Sequence, residues 1–290
     1  MGNRLSRQDQ QVVVVRDISY TTTHDPLRSF DLYIPTSSVG SSLPLVCFVH
    51  GGAWRSEDKS EHAILAQRLA AHTSFPVVIP NYRLTKPETP IKHPTHTEDL
   101  LQFLNFILEW EGPQNHPHPY DSSKLYIIGH SCSAHMLTSI YFTPALPHAA
   151  LPSLVPSKKL LESTQAIALS EGIYDIDLLI NSFPQYKSWF IANAFDDLTS
   201  YAPFNTTAYN LHEGSEHIHW LILHSRDDTL VDAKQSVKFK DHIESILGKE
   251  KVLWDMSLKG EHDQMLREAE YPRVVGQFIL DHRNKYHAAL

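Results

Sequence analysis

A serine follows an apolar, strand-like run in Leu125-Tyr126-Ile127-Ile128-Gly129-His130-Ser131-Cys132-Ser133, and Ala134 and His135 continue into a helical pattern. A Gly-x-Ser-x-small turn between a strand and a helix is what a nucleophile elbow requires. The serine is held in a strained turn, and small flanking residues let the two backbones approach closely. Ser133 stands where glycine is usual and is small enough to fit. Upstream, directly after the apolar run 45–49, comes His50-Gly51-Gly52-Ala53-Trp54. Two glycines there let amide N–H groups turn toward a developing oxyanion. Gly52 and Ala53 are the expected upstream donors, and the N–H of Cys132 is the third.

A nucleophilic serine needs a base, and the base needs an orienting acid. The run 220–223 leads into His224-Ser225-Arg226-Asp227-Asp228, and an acid at the C-terminal end of a strand reaches the crevice where open α/β sheets bind ligands. Asp227 and Asp228 both meet that description. Further on, Lys259-Gly260-Glu261-His262-Asp263 reads as a turn before a helix. Serine, then acid, then histidine is the chain order expected of a triad built on such a sheet. With 19 histidines in the chain, an isolated one says little, and His262 stands out by its turn and its place in that order. His130, His135 and His224 read as structural. The Cys132 side chain is expected to point away from the nucleophile, which argues against a thiol mechanism. Trp54 is a candidate substrate-binding wall for an aromatic leaving group, a core tryptophan being the alternative. Tyr82-Arg83, after the run 77–79, is a candidate for the rim.

Neither His116-Pro117-His118 nor His212, His217 and His219 has the spacing that gathers imidazoles around one ion. No GxxxxGK[ST] or GxGxxG occurs either, so neither a metal nor a cofactor is expected.

The elements that would position these residues alternate along the chain. Short apolar runs at 11–15, 45–49, 77–79, 125–128, 166–169 and 220–223 are separated by stretches with helical spacing, the pattern of a mostly parallel sheet covered on both faces. The first run and Phe30-Asp31-Leu32-Tyr33-Ile34 suggest an antiparallel edge hairpin. Helices are expected over 98–110, behind a Thr95-x-x-Glu98 capping box, over 61–71, 133–141 and 233–247, and from about 265 onward. The segment 112–121 reads as a surface connection, and the proline-rich 143–157 as an irregular insertion or lid. With no internal repeat or charge-blocked linker, 1–290 is read as a single α/β domain with a flexible N-terminus at 1–10.

Composition limits what else the chain does. There are 25 Lys and Arg against 33 Asp and Glu, a net charge of −8 with no basic stripe, so nucleic acid is not an expected partner. A hydrophobic share of 42% with 20% charged residues supports a sizeable core. Two cysteines, Cys47 and Cys132, make no disulfide framework, which suits a reducing, cytoplasmic setting. No run approaches the ~18 apolar residues of a membrane span, and no secretory leader is evident. Met1-Gly2-Asn3-Arg4-Leu5-Ser6 fits the N-myristoylation template, which would add reversible membrane contact through Gly2.

Together these motifs resemble the α/β-hydrolase superfamily and, within it, the kynurenine formamidases (arylformamidases), over roughly residues 31–278. The family's His-Gly-Gly-x-Trp motif is similar to His50 to Trp54, and its Gly-His-Ser-x-Gly-Ala-His elbow to Gly129 to His135 apart from Ser133. Ser170-Glu171-Gly172-Ile173-Tyr174-Asp175-Ile176 is similar to the stretch after the family's next strand. His224-Ser225-x-x-Asp228 resembles its acid loop, which favours Asp228 over Asp227. The resemblance implies an α/β-hydrolase fold, a triad of Ser131, Asp228 and His262, and an oxyanion hole formed by Gly52, Ala53 and Cys132. It also implies hydrolysis of N-formyl-L-kynurenine to L-kynurenine and formate without a cofactor, in tryptophan catabolism, with a homodimer compatible with that activity. Prenylcysteine methylesterases and short-chain carboxylesterases share the motifs, and Tyr186-Lys187-Ser188-Trp189-Phe190 followed by Tyr201-Ala202-Pro203 suits either group. A binding protein that had lost catalysis would lack a triad member, and all three are present here.

Overall fold

The computed structural model describes residues 12–38, 42–144 and 154–287. Its strands are β1 (Val12–Ser19), β2 (Ser29–Pro35), β3 (Pro44–Val49), β4 (Val77–Pro80), β5 (Asp121–His130), β6 (Phe142–Pro144), β7 (Thr164–Ser170), β8 (Tyr209–Leu211), β9 (His219–Leu223) and β10 (Val252–Asp255). Eight of them form one sheet in the order β1-β2-β4-β3-β5-β7-β9-β10. β2 runs antiparallel to both β1 and β4, and the remaining pairs are parallel. β6 and β8 form a separate antiparallel pair. The helices are α1 (Ala63–Thr73), α2 (Thr95–Glu109), α3 (Cys132–Tyr141), α4 (Lys158–Ser163), α5 (Ile176–Ser182), α6 (Ala192–Phe195), α7 (Ala233–Leu247) and α8 (Glu270–His287).

Successive residues of a strand point to opposite faces, and here they feed two cores. Leu45, Cys47 and Val49 of β3, Ile127 of β5 and Leu169 of β7 pack with Phe103 of α2, Leu137 of α3 and Phe239 of α7. Val46, Phe48, Tyr126, Ile128 and Ala168 pack on the other face with Leu65 and Leu69 of α1 and Val275 and Ile279 of α8. Burial on both faces is why these strands read as continuous apolar runs rather than alternating ones.

Several elements depart from expectation. α2 begins at Thr95, and its N-cap is Pro94, without a side-chain cap bond. The Pro94 carbonyl accepts the Glu98 N–H at 2.9 Å, so Thr95 sits inside the first turn and no capping box forms. The last helix is split: a 3₁₀ turn at Met265–Arg267 precedes α8. Pro272 lacks an N–H and is tolerated only in a helix's first turn, where α8 places it. β10, β6 and β8 were not anticipated. Of the expected insertion, Thr143 and Pro144 belong to β6, residues 145–153 lie outside the described residues, and the Ser157 hydroxyl caps α4 by accepting the Leu160 N–H at 3.1 Å. The N-myristoylation pattern also lies outside the described residues. Among the described residues no helix is long and apolar enough to cross a membrane.

β3, β5 and β7 deliver their C-terminal ends to one edge of the sheet. Left-handed φ values follow there at Gly52 (89°), Ala53 (52°), Ser131 (57°) and Glu171 (49°). Such backbone strain concentrates where a site must hold side chains in one arrangement.

Candidate active site

Ser131 occupies the sharp turn between β5 and α3, with φ 57° and ψ −123°. Its N–H donates to Ser170 O at 3.0 Å and its carbonyl accepts from Ile173 N–H at 3.2 Å, so β7 and the loop after it pin the turn from one side. Ser133 explains how the elbow works without its usual glycine. Its hydroxyl accepts the His130 N–H at 2.7 Å and lies 2.8 Å from the carbonyls of both Val49 and His130, joining the end of β3 to the elbow. Ser133→Ala would leave the buried His130 N–H without this acceptor. It is expected to cost about 1–3 kcal/mol, measurable as a lowered urea midpoint at unchanged slope.

The His50 to Trp54 loop is braced from within. The Tyr82 hydroxyl bonds the carbonyls of His50 at 3.0 Å and Gly51 at 2.7 Å, and its ring stacks on His50 at 4.5 Å. The Gly52 carbonyl accepts the N–H groups of Arg55 and Ser56, each at 2.9 Å. Gly52 is obligatory: a Cβ added to it would lie 2.2 Å from Ser56 O. Trp54 N–H donates to Cys132 Sγ at 3.3 Å, with the Ala53 amide beside the same sulfur. The thiol therefore ties the loop to the first residue of α3 and sets the spacing between the loop's amides and that of Cys132. Burial pushes the Cys132 thiol up to about 12, so it stays protonated and is no nucleophile.

His262 sits in a turn docked against the loop after β9. Asp227 Oδ2 accepts the Gly260 N–H at 3.0 Å, Ser225 Oγ donates to Gly260 O at 2.7 Å, and Thr229 Oγ1 donates to Glu261 Oε2 at 2.6 Å. Asp228, rather than Asp227, meets the ring: its Oδ2 lies 2.8 Å from His262 Nδ1. Its Oδ1 accepts the N–H groups of Leu230 at 2.8 Å and Val231 at 3.0 Å. Burial opposes the charge on Asp228, but the His262 bond and these amides outweigh it and hold the carboxyl below its ordinary range. Among the described residues no hydrogen bond links Ser131 Oγ to the ring, although both groups open onto one cleft.

That cleft has a volume of about 320 Å³, and its lining includes Gly52, Ala53, Ser131 and His262; the volume is at the small end of the ~300–1,000 Å³ typical of ligand sites. Trp54 does not line it. The side chain is wholly buried and packs on Phe195 at 4.9 Å, because φ 59° at Trp54 turns it into the core. This corrects its expected role as a substrate wall. The aromatic lining comes instead from Tyr186, Trp189 and Phe190, with Trp189 53% exposed at the mouth. Tyr82 and Arg83 are not at the rim either, since Tyr82 is buried under the His50 to Trp54 loop and Arg83 donates two hydrogen bonds to the Asp99 carboxylate, at 2.7 and 2.6 Å. Arg55 and Asp263, of opposite charge, also line the cleft. The Arg55 guanidinium donates to Trp189 O at 3.0 Å and lies 6.0 Å from that ring's centre. Neither Arg55 nor Asp263 meets a counter-ion among the described residues.

The histidines read as structural make structural bonds. His135 Nε2 bonds Phe204 O at 2.8 Å, His224 Nε2 bonds Val231 O at 3.0 Å, and His130 Nε2 bonds His262 O at 3.1 Å. The residue not anticipated is Glu171, directly after β7. Its Oε2 lies 3.5 Å from His262 Nδ1. The rule that singled out Asp228, an acid at the C-terminal end of an apolar strand, would have found it. Glu171, Asp228 and His262 are also close enough to share an ion, as are His130, His262 and Asp263. Both sets use the ring that Asp228 already holds.

A family described as BD-FAE matches residues 30–243. A kynurenine formamidase of Scheffersomyces stipitis is 26% identical over 243 residues, covering 76% of this chain and 84% of that protein. One from Meyerozyma guilliermondii is 24% identical, covering 88% and 90%. Among solved structures, a truncated carbohydrate esterase from gut microbiota superposes with a TM-score of 0.72 at 16% identity, covering 95% of this chain and 98% of that one. That likeness speaks to fold alone, and the fold is the α/β-hydrolase fold.

Proposed function

The chain belongs to the BD-FAE family of α/β-hydrolases, and on that premise we propose that it is a serine hydrolase that cleaves N-formyl-L-kynurenine to L-kynurenine and formate. One observation carries the reading: His262, bonded through Nδ1 to the buried Asp228, opens onto the same cleft as the strained Ser131. In this reading Nε2 of His262 takes the proton of Ser131 Oγ as the oxygen attacks the formyl carbon. The N–H groups of Gly52, Ala53 and Cys132 receive the oxyanion, each such donor being worth about 3–4 kcal/mol in the transition state. His262 then protonates the anilide nitrogen, the arylamine leaves, and Ser131 carries a formyl ester. Water gives a proton to His262 and attacks that ester; formate departs and Ser131 regains its hydrogen. No cofactor is needed.

The substrate assignment draws on the formamidase relatives and on the cleft. An aryl leaving group suits the Tyr186, Trp189 and Phe190 wall. The amino-acid end of kynurenine carries a carboxylate and an ammonium, which suit Arg55 and Asp263. The test compares N-formyl-L-kynurenine, a formanilide without charged groups and a short acyl ester on the wild type and Arg55→Ala. Rapid release of kynurenine is expected from the wild type. Arg55→Ala should lose about 10–100-fold in kcat/KM on the formylkynurenine, the worth of one charge-assisted bond, and little on the uncharged formanilide. Turnover of the ester alone would replace the formamidase reading with that of a carboxylesterase.

A further inference from the structure

Two carboxyl groups face the Nδ1 edge of His262, Asp228 Oδ2 at 2.8 Å and Glu171 Oε2 at 3.5 Å. Glu171 has no exposed surface, and its φ of 49° puts a non-glycine residue in the left-handed region, which persists only where the surroundings impose it. Those surroundings are visible. The Glu171 N–H donates to Leu223 O at 3.0 Å, Oε1 accepts the Ser225 N–H at 3.3 Å, and Oε2 lies 3.4 Å from His130 Nε2. The backbone is therefore held so that this carboxyl arrives where the elbow, the acid loop and the base loop meet. The charged or titratable groups facing it are Asp228 of the acid loop, His262 and Asp263 of the base loop and His130 of the elbow. Tyr271 of α8 is also within electrostatic reach.

We propose that Glu171 is a positioning residue for His262: as a neutral carboxylic acid it fills the side of the imidazole that Asp228 leaves open, so that Asp228 alone presents negative charge to Nδ1. The proposal rests on the reading of His262 as the base for Ser131. Burial first, and the Asp228 charge second, favour the protonated form of Glu171, raising its carboxyl to about 9. Once ionised, Glu171 becomes a second acceptor for the Nδ1–H. It then draws the ring from Asp228 and turns Nε2 away from Ser131.

Glu171→Gln keeps the shape and neutrality of the protonated acid, whereas Glu171→Ala removes both. With whichever substrate the wild type turns over in a Ser131-dependent way, Glu171→Gln should keep kcat within about twofold at pH 7.5, and Glu171→Ala should lose about tenfold in kcat with KM unchanged, the scale of a small misplacement of the base. The wild type should also lose kcat/KM at alkaline pH with a midpoint near 9, and Glu171→Gln should not. A Gln variant as impaired as Ala, or one that keeps the alkaline decline, overturns the proposal. Loss of Ser131 dependence would overturn the base reading instead.

Stability gives a readout independent of turnover. The folded carboxyl titrates above its ordinary value, so folding takes up a proton, and the stability tied to it is full below about 4.5 and lost as pH rises toward 9. The melting temperature of Glu171→Gln should therefore gain on the wild type between pH 5 and pH 9, even if Glu171→Ala does not fold. A gap that stays constant with pH overturns the neutral-acid assignment.

Discussion

Ser131→Ala is expected to lower kcat/KM by about 10⁶-fold, the loss seen when a triad nucleophile is removed, while a residual rate above that in water survives from the oxyanion donors and binding. The fold should not suffer. Ser131 Oγ makes no hydrogen bond among the described residues, and the φ of 57° is equally strained for serine and alanine. The change in unfolding free energy should therefore stay within about 1 kcal/mol. An alkyl phosphonate should add covalently to the wild type at Ser131 and leave Ser131→Ala unlabelled, because labelling needs an activated hydroxyl. An unlabelled wild type, or a variant that keeps its activity, would remove Ser131 from the chemistry. Trp54 N–H donates to Cys132 Sγ, a thiol that burial keeps protonated, so no thiol stands ready to substitute.

Much of this arrangement was legible in the sequence because the central strands and their turns obey local rules. A strand buried on both faces must be apolar throughout, which marked β3, β4, β5, β7 and β9. A tight strand-to-helix turn needs small residues, which marked Gly129 to Ser133. What was lost lies where local rules give no direction. β10 is a four-residue edge strand whose short apolar run, Val252 to Trp254, follows the charged Lys249-Glu250-Lys251 and leaves Leu253 55% exposed, so it lacks the double-sided burial that marks the central strands. Trp54 stood beside the right loop, but its backbone angle, invisible in sequence, decides that the ring goes into the core. The cleft wall comes from Tyr186 to Phe190, distant along the chain from both Trp54 and Ser131, and only the fold brings these aromatic rings to the elbow. Glu171 satisfies the same strand-end rule as Asp228, but nothing in the sequence shows that its carboxyl is buried against the His262 ring. Its meaning appears only once Asp228 and His262 are seen beside it.

Asp228→Asn should lower kcat by about 10⁴-fold, whereas Asp227→Asn should change it less than about threefold. The two aspartates are neighbours in sequence but hold different partners. Asp228 accepts from His262 Nδ1 and so fixes the tautomer whose Nε2 can take a proton; an asparagine amide there can donate to Nδ1 and favour the wrong one. Asp227 accepts a backbone N–H from Gly260, which an asparagine carbonyl can still do. Stability should separate them in the same direction. The Asp228 carboxyl titrates below its ordinary value of 3.8, so its contribution is full above that pH and is lost as pH falls through the lower folded value. Asp228→Asn should accordingly be less stable than the wild type at pH 7 and close to it in strong acid. Equal losses of kcat in the two variants would mean that the docking of the base loop, rather than the charge on Nδ1, limits catalysis. A loss confined to Asp227→Asn would reverse the assignment of the orienting acid.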